Sequence, residues 1–179
     1  VAALRCEAQN LVPNPSFEQI DSCPPWPYYL GFQESSKPAH WEKWLNSPDY
    51  FNACIGSSDT MSGVPTNLFG SQAAFDGNAY IGMCVYGNFG SVFREYAGVQ
   101  LTEPLQVGVT YYLSFRVCKA EGKPLQPVYW ACNNTGLLFT MQSNVWNGTS
   151  GPPFPPRNHA HLKAEEIMED TAQWVLVSG

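Results

Sequence analysis

The stretch Thr110-Tyr111-Tyr112-Leu113-Ser114-Phe115-Arg116-Val117-Cys118 decides the fold class. Tyr111, Leu113, Phe115 and Val117 fall on one face of an extended chain, and Tyr112, Ser114, Arg116 and Cys118 on the other. A period of two marks a strand with one buried face. Outward from it, further strands are predicted over residues 80–86, over 93–101 after Gly87-Asn88-Phe89-Gly90, over 135–142 and over 173–178, with a short one around Trp41. Pro13 and Pro15 exclude a helix over residues 10–20 and leave an extended, edge-like segment. Residues 21–48, rich in proline and aromatics, read as a long ordered loop. Residues 55–78 read as another, closing at the turn Asp76-Gly77-Asn78. Residues 151–156 form a polyproline-type loop, and residues 160–170 suit one short helical turn.

Composition agrees with short strands and many turns. The 179 residues suffice for one domain with a core. They include 15 Gly and 15 Pro, which punctuate the chain too often for long helices. Charged residues are 13%, well under the roughly 25% of an average soluble chain, which argues against coiled coils and charged disordered tails. The net charge is −6 with no run of Lys or Arg, so nucleic acid is not an expected partner. No apolar stretch is long enough for a transmembrane helix. Residues 1–9 read as a signal-peptide-like or linker segment, with Ala8 at the −1 position and Cys6 at −3. Cys6 is left as lipidated, free or paired; Arg5 fits a lipidation site poorly.

Six cysteines with no CxxC spacing point to structural disulfides and an oxidising compartment rather than zinc. Of the fifteen possible pairings, Cys23 with Cys54 and Cys118 with Cys132 are favoured. The second pair would close a loop of about a dozen residues.

In order, NLVPNPSFE (10–18), SCP (22–24), PDYFNAC (48–54), GVP (63–65), GNAYIGM (77–83), REYAGVQLTEPL (94–105) and TYYLSFRV (110–117) resemble the N-terminal galactose-binding-like jelly roll of Bacteroidetes envelope proteins. Such proteins often carry an OmpA-like peptidoglycan-binding domain or a type IX secretion sorting domain. The resemblance spans residues 9–179. It implies an all-β jelly-roll β-sandwich over residues 10–179, similar in fold to carbohydrate-binding modules, and export to the periplasm, outer membrane or cell surface. In that family one or two strands follow the position of residues 174–179. By this comparison the sandwich lacks its terminal strand, and an envelope protein partner or further chain beyond residue 179 would pair with the open edge.

The resemblance also directs attention to candidate sites. Sugar-binding jelly rolls stack pyranose rings on exposed aromatics; Trp26, Tyr28, Tyr29, Trp130 and Trp146 fall in loops or at strand ends, where they either stack a polysaccharide or anchor the loops. Trp41 and Trp174 belong to strands and read as core. One structural calcium ion is implied, with Glu18 as ligand and Asp76 as a second. Thr60 in Asp59-Thr60-Met61 and Thr171 in Asp170-Thr171-Ala172 match the O-glycosylation motif of that bacterial group. Asn133 and Asn147 lie in N-glycosylation sequons, meaningful in a eukaryotic secretory pathway. His159 and His161 share one face of an extended chain but match no zinc signature, and read as surface loop. No GxSxG, HExxH, P-loop or GxGxxG motif occurs, and the acid pairs Glu165/Glu166 and Glu169/Asp170 are adjacent in sequence, unlike the facing acids of a glycosidase. The expectation is a non-catalytic interaction or assembly module of a bacterial envelope protein, with a carbohydrate-binding module as the alternative.

Overall fold

The computed structural model describes residues 9–23, 37–56, 61–88, 92–124, 126–143 and 160–179. They form β1 (Trp41–Leu45), β2 (Asp49–Asn52), β3 (Thr66–Asn67), β4 (Gly70–Ser71), β5 (Ala79–Gly82), β6 (Gly87–Asn88), β7 (Val92–Phe93), β8 (Tyr96–Val99), β9 (Ser114–Val117), β10 (Gly136–Leu137), β11 (Leu162–Lys163) and β12 (Val175–Ser178), with a 3-10 turn at Ala53–Ile55. Each ladder is antiparallel: β1 with β8, β2 with β5, β3 with β4, β6 with β7, β9 with β12 and β10 with β11. The chain is all-β, built from small sheets.

The deciding stretch keeps its alternation. Val117, Phe115 and Leu113 are half-buried, while Arg116, Ser114 and Tyr112 face outward. β12 lies opposite in register, Val175 to Val117 and Val177 to Phe115. Beyond Ser114 the pairing continues through reciprocal backbone bonds between Leu113 and Gly179, 2.8 and 3.0 Å. Arg116 turns its guanidinium over the Phe75 ring, 3.7 Å from the centroid, which lays the preceding loop on this sheet.

The centre of the fold is β2, in a stretch where the sequence predicts no strand. Asp49, Tyr50, Phe51 and Asn52 are all buried. Tyr50 and Ala79 form the core with Phe17, Ile20, Trp41, Ile81 and Ala97 packed around them. A chain of polar contacts ties this core to the proline-rich segment. The Tyr50 hydroxyl donates to the Phe17 carbonyl (2.8 Å) and accepts from Asn52 Nδ2 (2.6 Å), while Asn52 Oδ1 accepts from the Cys54 N–H (2.8 Å). Burial pushes the Tyr50 phenol up to about 12. Trp41 packs its ring 4.9 Å from Phe17 and donates Nε1 to the Asn14 carbonyl, as a core tryptophan does. Trp174, half-buried, stacks edge-on to Tyr80 at 5.5 Å.

Several predicted boundaries shift for local reasons. Residues 10–20 form turns, with one bridge between Ile20 and Pro38. Buried Asn14 (φ 48°) organises them by accepting from the Gln19 N–H and donating to the Gln19 and Ala39 carbonyls. The run 80–86 keeps only β5, β6 falls in the separator expected at 87–90, and 93–101 divides into β7 and β8. The cause is Glu95, which takes both the Cys84 N–H on its carboxylate and the Cys84 carbonyl on its own N–H, pulling both chains out of a simple ladder. Residues 135–142 contribute only β10. Residues 160–170 hold no helix: β11 pairs with β10, and Ala164 exchanges backbone bonds with Asn134 and Thr135. Within β1 the register shifts at Trp44. Its indole lies where a Cβ on Gly98 would stand, 1.9 Å from the nearest ring atom, so β8 needs glycine there.

The disulfide Cys23–Cys54 is formed, with a Cα separation of 6.0 Å. The predicted Cys118–Cys132 bridge is not; both are free thiols, as is Cys84. Each of the two is tied to the C-terminal segment instead of to the other. The Lys119 N–H donates to the Asp170 carbonyl, and the Met168 N–H donates to the Cys132 carbonyl. Burial and the Asp170 carboxylate push the Cys118 thiol up to about 11.

Candidate functional site

Two places bring polar or aromatic groups together at the surface. The first surrounds Glu18. The turn at residues 75–78 is allowed by Gly77 in the left-handed region (φ 66°), where a Cβ would lie 2.5 Å from the Glu18 carboxyl carbon. Glu18 can therefore cross to the turn and accept from the Asn78 N–H (2.9 Å) and the Asn78 Nδ2 (3.4 Å). Glu18, Ile20, Asn52, Ala53, Cys54 and Asn78 line a shallow cavity of about 350 Å³ beside the disulfide. Asp76 is exposed on the same turn. Calcium takes six to eight oxygens; Glu18 brings a carboxylate already accepting from Asn78. Among the described residues no three His, Cys, Asp or Glu side chains converge as a metal group would.

The second place is aromatic. Tyr86 and Trp130 meet at 6.1 Å between ring centroids, 67° apart in plane, and are 45% and 60% exposed. Tyr129, 78% exposed and next to Trp130 in the sequence, lines a groove of about 320 Å³ with Glu121, Gly122, Lys123 and Val128. The groove's charges are already engaged. Lys123 Nζ donates to the Asn67 carbonyl, and a Glu121 carboxylate oxygen accepts from the Ser71 N–H at 3.3 Å. These contacts hold the floor of the groove to the β3–β4 hairpin and leave Tyr129 as its exposed aromatic wall.

No family model, curated protein or solved structure matches this chain.

The structure places Trp130 as an exposed ring and shows Tyr86 and Tyr129, which are not among the candidates predicted from sequence, exposed as well. Tyr86 was hidden at the end of a predicted strand. Tyr129 stood next to a tryptophan in a loop, and that adjacency was the available signal. Trp26, Tyr28, Tyr29, Trp146, Thr60, Cys6, Asn147 and His159 lie outside the described residues. His161 is used locally: its Nδ1 accepts from the Phe139 N–H (3.1 Å) and its ring packs against Phe139. Thr171 is half-buried in a bend that Asp170 organises by accepting from the Ala172 and Gln173 N–H groups, both at 2.8 Å. Those two donors lower the Asp170 carboxyl below its ordinary value. Asn133 is exposed.

The structure also reveals Glu95, 7% exposed, which no motif announced. One of its oxygens accepts from the Ser47 hydroxyl (3.0 Å) and N–H (3.3 Å), the other from the Cys84 N–H (2.6 Å). Burial raises its carboxyl above the ordinary range, partly offset by these donors. A carboxylate whose oxygens accept from backbone and hydroxyl donors braces the fold. No helix of the described residues is long and apolar enough to cross a membrane, and the disulfide is compatible with an exported protein.

Proposed function

We propose that this chain is a non-catalytic interaction module of a bacterial envelope protein, exported to the periplasm, outer membrane or cell surface, and that it docks a protein partner through Tyr86, Tyr129 and Trp130. The observation that carries this reading is the exposure of three rings, Tyr86 and Trp130 in contact with each other and Tyr129 on a braced groove. Exposed tyrosine and tryptophan supply large contact area with few rotatable bonds and are enriched where proteins bind proteins. The 67° tilt between Tyr86 and Trp130 favours a protein surface over a pyranose, which stacks on a flat platform. The jelly-roll sandwich belongs to the same reading. It is supported by antiparallel ladders joining segments distant in sequence, β1 to β8 and β9 to β12, as Greek-key folds require.

The alternative, a carbohydrate-binding module, draws on Tyr129 lining a groove that also holds Glu121 and Lys123. The test separates the two. A photo-crosslinking benzoylphenylalanine replaces Tyr129 in cells, and the chain is also run through polysaccharide-containing gels. One discrete protein adduct, lost in Trp130→Ala, is the expected result. Retardation by a glycan that disappears in Trp130→Ala, with no adduct, would establish the carbohydrate reading instead. Neither adduct nor retardation would remove both.

One structural calcium ion at Glu18, with Asp76 contributing, completes the proposal. Chelation is expected to lower Tm by a few degrees, because an ion bound only to the folded chain stabilises it. An unchanged Tm eliminates the ion.

A further inference from the structure

The connection between β8 and β9 carries apolar side chains outward on a held turn. Residues 102–110 are all exposed. At their tip the Val109 N–H donates to the Gln106 carbonyl (3.3 Å), and Gly108 takes φ 81°. This is the arrangement of a type II turn, whose third residue needs the left-handed region. The Gln106 N–H donates to the Tyr111 hydroxyl (2.9 Å), which ties the tip to the residues leading into β9. The base is fixed as well. The Thr102 N–H donates to the Leu11 carbonyl (2.9 Å), and Leu113 exchanges backbone bonds with Gly179. Leu105, Val107 and Val109 are thus displayed in set positions. Val107 is wholly exposed, and Tyr112, which follows, is exposed too.

The charge pattern says what such a turn fits. No Asp, Glu, Lys, Arg or His occurs from Pro104 to Phe115. Of the flanking charges, Arg116 lies over the Phe75 ring and Glu103 is exposed at the foot of the turn. A surface that docks protein is rimmed by polar and charged groups. An uncharged apolar tip backed by two tyrosines matches a bilayer boundary instead. There hydrocarbon takes valine and leucine, and phenol rings sit at headgroup level. The chain carries a net charge of −6 and the turn holds no cation, so attraction to anionic headgroups plays no part.

We propose that the Gln106–Val109 turn inserts into the headgroup–acyl boundary of a lipid surface, with Val107 at its tip and Leu105, Val109 and Tyr112 flanking it. Insertion is shallow. The Val107 and Gly108 N–H groups donate to no acceptor among the described residues, so they must stay within reach of water or headgroup oxygens. Affinity is modest. The three aliphatic side chains offer about ten apolar carbons, fewer than a myristoyl chain, whose membrane binding constant is about 10⁴ M⁻¹. Half of the protein should therefore be bound at roughly millimolar lipid. The inference concerns this turn and does not depend on what Tyr86, Tyr129 and Trp130 bind.

The test is flotation of the full chain with phosphatidylcholine vesicles. The chain should float at about millimolar lipid. Val107→Asp should lower the bound fraction about tenfold or more, and Val107→Trp should raise it. Neither should move Tm, because the side chain at residue 107 is wholly exposed. Raising the salt to about 0.5 M, which screens surface charge, should leave flotation unchanged, and adding phosphatidylglycerol should not increase it. No flotation at about 5 mM lipid, or equal flotation of Val107→Asp, would overturn the proposal. So would flotation onto anionic vesicles alone that salt abolishes, which would mean a charge contact elsewhere on the chain. Sedimentation that shows a dimer dissolved by Val107→Asp, with no flotation, would assign the turn to a second copy instead.

Discussion

Phe51→Ala is expected to lower the free energy of unfolding by about 3–5 kcal/mol, the range for truncating a buried aromatic. Phe51 is 2% exposed and sits opposite Tyr80 across the β2–β5 ladder. Its ring lies 5.1 Å from that of Tyr80 and edge-on to Phe69 at 6.2 Å. Gly82 makes room for it; a Cβ there would stand 2.7 Å from the ring. Nothing nearby can collapse into the hole, because Tyr80 is held at its hydroxyl by Asn67 Nδ2 (2.6 Å) and at its ring edge by Trp174. The aromatic ladder Phe69–Phe51–Tyr80–Trp174 joins the β2–β5 sheet to β12, so the loss reaches the C-terminal sheet too. Urea unfolding checks this: the midpoint should fall sharply with little change in slope. A loss below about 1 kcal/mol would mean that the ring is not the centre of the core. For a domain stabilised by about 5 kcal/mol, the low end of the usual range, the expected loss is enough to populate unfolded chain at 37 °C.

The same residue shows where the sequence was legible. Residues 110–118 were read correctly because four alternating apolar residues make the period of two visible, and their partner strand repeats it at Val175 and Val177. β2 was not, because Asp49-Tyr50-Phe51-Asn52 carries two apolar residues between polar ones, all of which are buried. Burial on both faces erases the alternation that a half-buried strand displays, and the polar ends are satisfied by contacts the sequence does not show, such as Asn52 with Tyr50 and Cys54. The disulfides divide in the same way. Cys23–Cys54 joins segments that β2 and the Asn14 turn bring together. Cys118 and Cys132 are near in sequence, but the returning C-terminal segment hydrogen-bonds to each of their strands. In the candidate site Trp130 was found as a loop aromatic, whereas Tyr86 required knowing that its predicted strand breaks at Cys84.

Glu95 breaks that strand, and its removal is the second large expected effect. Glu95→Ala leaves the Ser47 N–H, the Ser47 hydroxyl and the Cys84 N–H without their acceptor in a buried place. Donors to a charged acceptor contribute about 1.5–3 kcal/mol each, and part of this returns if water enters, so a net loss of about 3 kcal/mol is expected at neutral pH. The pH dependence has a definite sign. The folded chain holds the Glu95 proton more tightly than the unfolded chain, where the ordinary value is 4.5. Between the unfolded and folded values the native state therefore binds more protons, and this group's contribution falls as pH rises through that interval. It is most favourable below about pH 4.5 and levels off once pH passes the folded value. The gap between wild type and Glu95→Ala should accordingly be larger at pH 4 than at pH 8. Glu95→Gln keeps the shape and removes the ionisation, but turns an amide N–H₂ toward either Ser47 or Cys84. It should show an intermediate loss, with the pH-dependent part gone. Denaturant unfolding of the three chains across this range decides the matter: a gap that widens toward alkaline pH would place the carboxylate in a charge-stabilising environment and sink the assignment of burial as the dominant force on it.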